Sequence, residues 1–259
     1  MSAWDTRRVS APRRIEIAGI PALLVEPDSP PTRLVLWQTH LGGSMEGTLA
    51  QLRSLAERGC RAVSFDPPDH GDRSADGDPR AFAMAMLEQF RLRMWPILGQ
   101  TTLEALRVID ATLDGAVTSV AAGGISMGGD VAIAVAGIDP RVDRVAAVGS
   151  TPDWTRPGMT RLDDAGMLLA QGRADSYGQW LRDELDPMMH RDRYRRGPPM
   201  RLHYGTEDHH VPQANGQAFA EALAAGGQIE IVEHPGLDHF GVCVDEAALQ
   251  DCLGFLAGD

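Results

Sequence analysis

The residues of this 259-residue chain that could do chemistry begin with a serine, Ser126, in the pentapeptide Gly124-Ile125-Ser126-Met127-Gly128. An apolar run at Thr118–Ala122 precedes it and a small-residue helical pattern at Asp130–Gly137 follows. A serine on a tight strand-to-helix turn is pushed clear of the sheet. Small flanking residues let that turn pack, and the N–H after the serine can face a developing oxyanion. A serine hydroxyl is a poor nucleophile near neutral pH, so it needs a base to take its proton and an acid to orient the base. The expected chemistry is acyl transfer, and the partners are expected in the order serine, acid, histidine.

Two strand ends downstream supply them. Leu202-His203-Tyr204-Gly205-Thr206-Glu207-Asp208-His209-His210-Val211-Pro212 runs from an apolar strand through a glycine turn to carboxylates, then to a proline suited to starting a helix. Asp208 is the expected acid, where the loop crosses the C-terminal edge of the sheet; Glu207 is the alternative. Val232-Glu233-His234-Pro235-Gly236-Leu237-Asp238-His239-Phe240 ends a strand in a Pro-Gly turn and presents His239, the expected base, just before the last helix. His234 is still on the strand, and His209 and His210 read as loop or pocket residues. Neither H-E-x-x-H nor paired cysteines accompany them, so no metal is expected. The turn Thr39-His40-Leu41-Gly42-Gly43-Ser44 follows the strand Leu34–Gln38 and can aim backbone N–H groups at the serine. The Leu41 and Met127 N–H groups are the expected oxyanion donors, with Ser44 able to cap the next helix.

Positioning these turns requires a sheet. Arg14–Ala18 and Ala22–Glu26 alternate like a hairpin about Gly19; Leu34–Gln38, Arg61–Phe65, Thr118–Gly123, Val142–Val148, Met200–Tyr204 and Ile229–Glu233 read as strands. Met45–Arg58, Arg80–Met94, Ile97–Leu113, Gln213–Ala225 and Glu246–Leu256 read as helices, and Asp66–Asp78 as a loop. Alternation of strand and helix predicts an α/β fold with a mostly parallel sheet covered on both faces. The first dozen residues are expected to be poorly ordered. Residues 151–199 break the rhythm and are expected to form a helical cap or lid inserted into a core domain of residues 1–150 and 200–259.

Composition sets outer bounds. A formal charge of −12 and a pI near 5.0 argue against nucleic acid or an anionic membrane as the main partner. All 24 basic residues are arginine, which excludes Schiff-base lysines, Ser-Lys dyads and a P-loop lysine. Three cysteines without metal spacing, no apolar leader segment and no run of transmembrane length make the cytoplasm the expected compartment.

Taken together, the elbow Gly124–Gly128, the acid loop Gly205–Pro212, the histidine loop Pro235–His239, the oxyanion turn Thr39–Ser44 and the loop Asp66–Ser74 make nearly the whole chain resemble an α/β-hydrolase. Two departures stand out: Thr39-His40 where the family often has His-Gly, and Asp69 where it commonly has glycine. The second brings Asp69-His70-Gly71-Asp72-Arg73 close to the H-G-x-R form of some esterase and peptidase-like branches. The resemblance implies a cofactor-free serine hydrolase with the triad Ser126, Asp208 and His239, acting on a small-molecule ester or thioester. Met, Leu and Trp in the expected cap suggest an apolar group on that substrate, with His40, Trp154 and Trp180 as the residues to contact it. Its apolar side chains would also suit a homodimer contact. Lactone, peptide and carbon–carbon bond hydrolysis use the same constellation. A binding protein on this scaffold, or a cofactor-free lyase or haloperoxidase-like activity, would have different signatures: ligand binding without covalent serine labelling, or turnover without a stable acyl-enzyme.

Overall fold

A computed structural model describes residues 8–258 apart from 76–77, 116 and 224–225. Eight strands form one sheet in the order β1-β2-β4-β3-β5-β6-β7-β8. They are β1 (Arg13–Ile17), β2 (Ile20–Val25), β3 (Arg33–Gln38), β4 (Cys60–Phe65), β5 (Val120–Ile125), β6 (Val142–Val148), β7 (Met200–Gly205) and β8 (Ile229–His234). β1 and β2 form the antiparallel hairpin, β2 also runs antiparallel to β4, and every later pairing is parallel. The central strands are apolar almost throughout because both faces are covered, as parallel sheets require. Ser126, Asp208 and His239 follow β5, β7 and β8, so the topology gathers their loops at the carboxyl end of the sheet.

One face carries α3 (Phe90–Thr112) and α4 (Met127–Ile138); the other carries α1 (Leu49–Glu57) and α8 (Glu246–Ala257). α4 is apolar or small nearly all round and buried along most of its length, as expected of a helix wedged between sheet and helix. Asp245 starts α8 by accepting from the Ala248 N–H at 2.9 Å, and Gly258 ends it with φ of 94°. The remaining α-helices among the described residues are α2 (Pro79–Glu88), α5 (Ser176–Leu185), α6 (Gln213–Ala222) and α7 (His239–Val244). No described helix is long and apolar enough to cross a membrane.

Several expectations need correction. The helix break does not fall at Trp95-Pro96: α3 runs through Pro96, and the break is at Gln89, with φ of −133° and ψ of 52°. An interior proline costs a helix about 3 kcal/mol, but here the Pro96 ring is packed against Gly178 of α5, while Gly99 of α3 sits under Leu181. Tertiary packing overrides the local preference. The expectation of disorder for the first dozen residues falls partly on residues 1–7, outside the described residues. Within the rest, Ser10 pairs with Glu26 and Val9 bridges Pro27. The end of the helix expected over Gln213–Ala225 also reaches undescribed residues. Residues 151–199 contain one α-helix, α5, a 3₁₀ turn at Arg191–Tyr194 and an irregular hairpin bridged between Thr160 and Leu168. α5 lies along α3, so the one helix of the segment packs on the core.

Candidate active site

Ser126 joins β5 to α4 with φ of 51° and ψ of −119°, a region that costs a non-glycine residue on the order of 1–3 kcal/mol. Its surroundings hold it there. The Ser126 N–H donates to the Val148 carbonyl at 2.8 Å, and the Ser150 hydroxyl donates to the Ser126 carbonyl at 2.9 Å. A Cβ on Gly124 would come within 2.6 Å of the Gly128 backbone. The spacing of the pentapeptide is therefore a packing requirement, with the hydroxyl left at the sheet edge.

The loops after β7 and β8 lie against each other. The Thr206 N–H donates to the His234 carbonyl at 3.1 Å, and the Glu207 N–H to the Leu237 carbonyl at 3.0 Å. Asp208 is buried, and its Oδ1 accepts the N–H groups of His210 and Val211 at 3.0 and 2.8 Å. Its Oδ2 is left for His239 Nδ1, at 2.8 Å. His239 Nε2 then lies 3.2 Å from Ser126 Oγ. Glu207 is exposed and lies 3.8 Å from His209, so the alternative acid is not in contact with the base. His234 is turned away as well, 2.9 Å from His203 and 3.3 Å from Asp245.

His239 was expected in a loop before the last helix; it is instead the first residue of the short helix α7, capped by the Asp238 side chain at the Gly241 N–H. That helix brings Cys243, one turn on, to 4.0 Å from His239 Nε2. The cysteine would have stood out only if a six-residue helix had been recognised from its i, i+4 spacing. Burial opposes a charge on His239, but the Asp208 carboxylate, helped by the Cys243 sulfur, outweighs it and raises the imidazole above its ordinary range. His210, whose ring meets that of His239 at a centroid distance of 5.1 Å, moves the other way. Burial, then His239 and Arg156, push it down to about 3.

Beneath the site lies an ion pair that sequence reading missed. Asp130 and Arg156 are both buried and hydrogen-bonded to each other, and Asp130 also accepts the Thr151 N–H at 2.7 Å. Arg156 lies over the Phe90 ring, 5.4 Å from its centroid. The pair anchors the start of the 151–199 segment to α4. Nothing in the spacing of Asp130 and Arg156 signals it.

The expected oxyanion donors follow two neighbouring strands, β3 and β5. Met127 opens α4, Leu41 follows β3, and neither N–H is taken up in a hydrogen bond among the described residues. The turn carrying Leu41 is tied to the loop after β4 through Asp66, which accepts the Met45 and Asp72 N–H groups, each at 2.8 Å. His40 is exposed, with Nδ1 2.9 Å from the Leu41 carbonyl. The two tryptophans are placed elsewhere. Trp154 is fully buried in the core and its carbonyl accepts from the Trp95 indole at 2.9 Å, so it does not line a substrate pocket. Trp180 is 53% exposed on α5, stacked with Tyr177. An aromatic residue in an insertion serves a core as readily as a pocket, and Trp154 serves the core. The hairpin of Thr160–Leu168 borders a cavity of about 260 Å³ whose lining mixes Met84, Leu87, Leu162 and Leu169 with the charged Glu88, Arg161 and Asp163 and includes none of Ser126, Asp208 and His239.

A strained serine elbow with its imidazole and carboxylate, on a doubly covered parallel sheet, is the architecture of the α/β-hydrolase superfamily. Residues 20–248 match the dienelactone hydrolase family model, and the chain belongs to that family. No curated protein matches it. Among solved structures it is similar to TT1662 from Thermus thermophilus, with 22% identity, a TM-score of 0.65 and coverage of 95% of this chain and 98% of the other. Est1E from Butyrivibrio proteoclasticus, solved with ferulic acid bound, is 19% identical with a TM-score of 0.65, covering 94% and 97%. A puromycin-hydrolyzing peptidase from Mycobacterium tuberculosis is 17% identical with a TM-score of 0.69, covering 96% of this chain but 40% of the peptidase. At these identities the likeness is one of fold.

Proposed function

We propose that the protein is a serine esterase that forms an acyl-enzyme on Ser126. The observation that carries this reading is the unbroken chain from Ser126 Oγ to His239 Nε2, 3.2 Å, and from His239 Nδ1 to Asp208 Oδ2, 2.8 Å. His239 takes the Ser126 proton as Oγ attacks the ester carbonyl, and Asp208 holds the tautomer and stabilises the imidazolium. The Leu41 and Met127 N–H groups receive the oxyanion, His239 returns its proton to the leaving alcohol, and water, activated in the same way, releases the acid. No cofactor enters these steps. The substrate is a small ester with an apolar group, a reading supported by the Met and Leu side chains of the 151–199 segment, which reaches the site where Thr160 meets His210.

The test is hydrolysis of p-nitrophenyl esters from acetyl to decanoyl by the wild type and Ser126→Ala, with a fluorophosphonate probe for covalent labelling. Turnover and labelling that both vanish in the variant support the reading. Equal turnover in the two proteins overturns it. The peptidase among the structural neighbours favours one second reading, amide hydrolysis by the same acyl-enzyme. Aminoacyl p-nitroanilides in the same assay separate the two, because only a peptidase turns them over at rates comparable to the esters.

A further inference from the structure

Building on the Ser126 reading, we propose that His210 is a positioning residue that couples the 151–199 segment to the general base. Its backbone N–H helps to fix Asp208, donating to Oδ1 at 3.0 Å. Its ring packs edge-on against the His239 ring, with centroids 5.1 Å apart and planes at 61°. On its far side, Nδ1 lies 2.8 Å from the Thr160 carbonyl, and the Thr160 N–H donates back to the His209 carbonyl at 3.0 Å. A carbonyl can only accept, so Nδ1 carries the proton of the neutral ring.

One side chain therefore touches the base on one side and clasps the hairpin of Thr160–Leu168 on the other. A charged His210 would repel the imidazolium that forms on His239 during the reaction. Its burial, the facing His239 and the nearby Arg156 keep it neutral, and Asp208, the acidic group facing it, is engaged by His239. The ring is thus a rigid neutral wall that limits rotation of His239, while the Nδ1–H bond holds the hairpin in place beside the site.

The two contacts can be removed separately. His210→Asn places an amide N–H near the position of Nδ1 and keeps the clasp while losing the ring. His210→Phe keeps the ring and loses the clasp. The ring loss should lower kcat for p-nitrophenyl butyrate by about 10- to 100-fold, the cost of a misplaced catalytic group, shift the acid limb of the kcat/KM profile, and leave KM within about twofold. The clasp loss should raise KM several-fold with a smaller fall in kcat. Equal losses in kcat and KM for both variants, or no change in either, overturn the proposal. Imidazole ¹⁵N NMR of the wild type gives a check that needs no variant: His210 should hold its proton on Nδ1 and remain neutral at pH 5, and an imidazolium signal from it at that pH overturns the proposal. If Ser126→Ala stays active, the esterase reading itself fails. If it is dead while both His210 variants behave as wild type, only the His210 proposal fails.

Discussion

Gly128 lies directly on the carbonyl of Gln38: a Cβ placed there would meet that oxygen at 2.3 Å and the Thr39 carbonyl at 2.6 Å. The helix after the nucleophile is thereby pressed against the end of β3, from which the oxyanion turn departs. Gly128→Ala should displace α4 from that strand. We expect a loss of stability of about 1–3 kcal/mol from overpacking, read by urea denaturation. At permissive temperature we also expect a fall in kcat larger than any change in KM, because the Met127 N–H moves with the helix.

Ser126→Ala should lower kcat by on the order of 10⁴–10⁶-fold, and His239→Ala by a similar factor; the two losses should not add, because the groups act as one unit. A double variant no slower than either single one is the expected result. Additive losses would mean that the two residues serve separate steps.

The pH dependence has a definite sign. Only neutral His239 can accept the serine proton, and its folded-state pKa lies above the ordinary 6.5. Activity should therefore rise with pH, and the acid limb of kcat/KM should fall above pH 6.5. Asp208→Asn should move that limb to lower pH while cutting kcat by about 10⁴-fold. A limb at or below pH 6 in the wild type would contradict the arrangement.

Breaking the buried Asp130–Arg156 pair leaves an uncompensated charge in the core. Arg156→Met should cost roughly 3–5 kcal/mol, measured as a lower urea midpoint at unchanged m-value. The double variant Asp130→Leu with Arg156→Met should recover much of that loss, since no buried charge remains.

A further buried histidine lies away from the site. His203, with its Nδ1 2.9 Å from His234 Nε2, is pushed down to about 4, mainly by burial. As pH falls from about 6.5 towards 4, the unfolded chain takes up a proton that folded His203 refuses, so this group withdraws stability over that window. His203→Gln should lose less melting temperature than the wild type between pH 6.5 and 4; parallel curves would contradict this.

The meeting of Ser126, Asp208 and His239 was legible because each sits at a local event: a strand ends, a turn of fixed chemistry follows, and the residue is the one at the turn. The sheet was legible for the same reason, since apolar runs of strand length need only be counted. What could not be read depends on contacts far apart in sequence. Pro96 reads as a break until Gly178 packs against it. Trp154 reads as a pocket wall until Trp95 meets its carbonyl. Arg156 carries no signal in the sequence until Asp130 is found beside it. α7 was missed because six residues carry too little periodicity to register.

The placement of Cys243, 4.0 Å from the imidazole nitrogen that serves Ser126, bears on how this protein can be classified at the bench. Iodoacetamide or a maleimide attached to that sulfur would put bulk against the base and stop turnover. Thiol-directed inactivation would then imitate a cysteine hydrolase in a protein whose elbow holds a serine. Under the proposed Ser126 mechanism, inhibitor profiles on the wild type alone would assign the wrong nucleophile, and a Cys243→Ala background is needed before a loss of activity to thiol reagents can be interpreted.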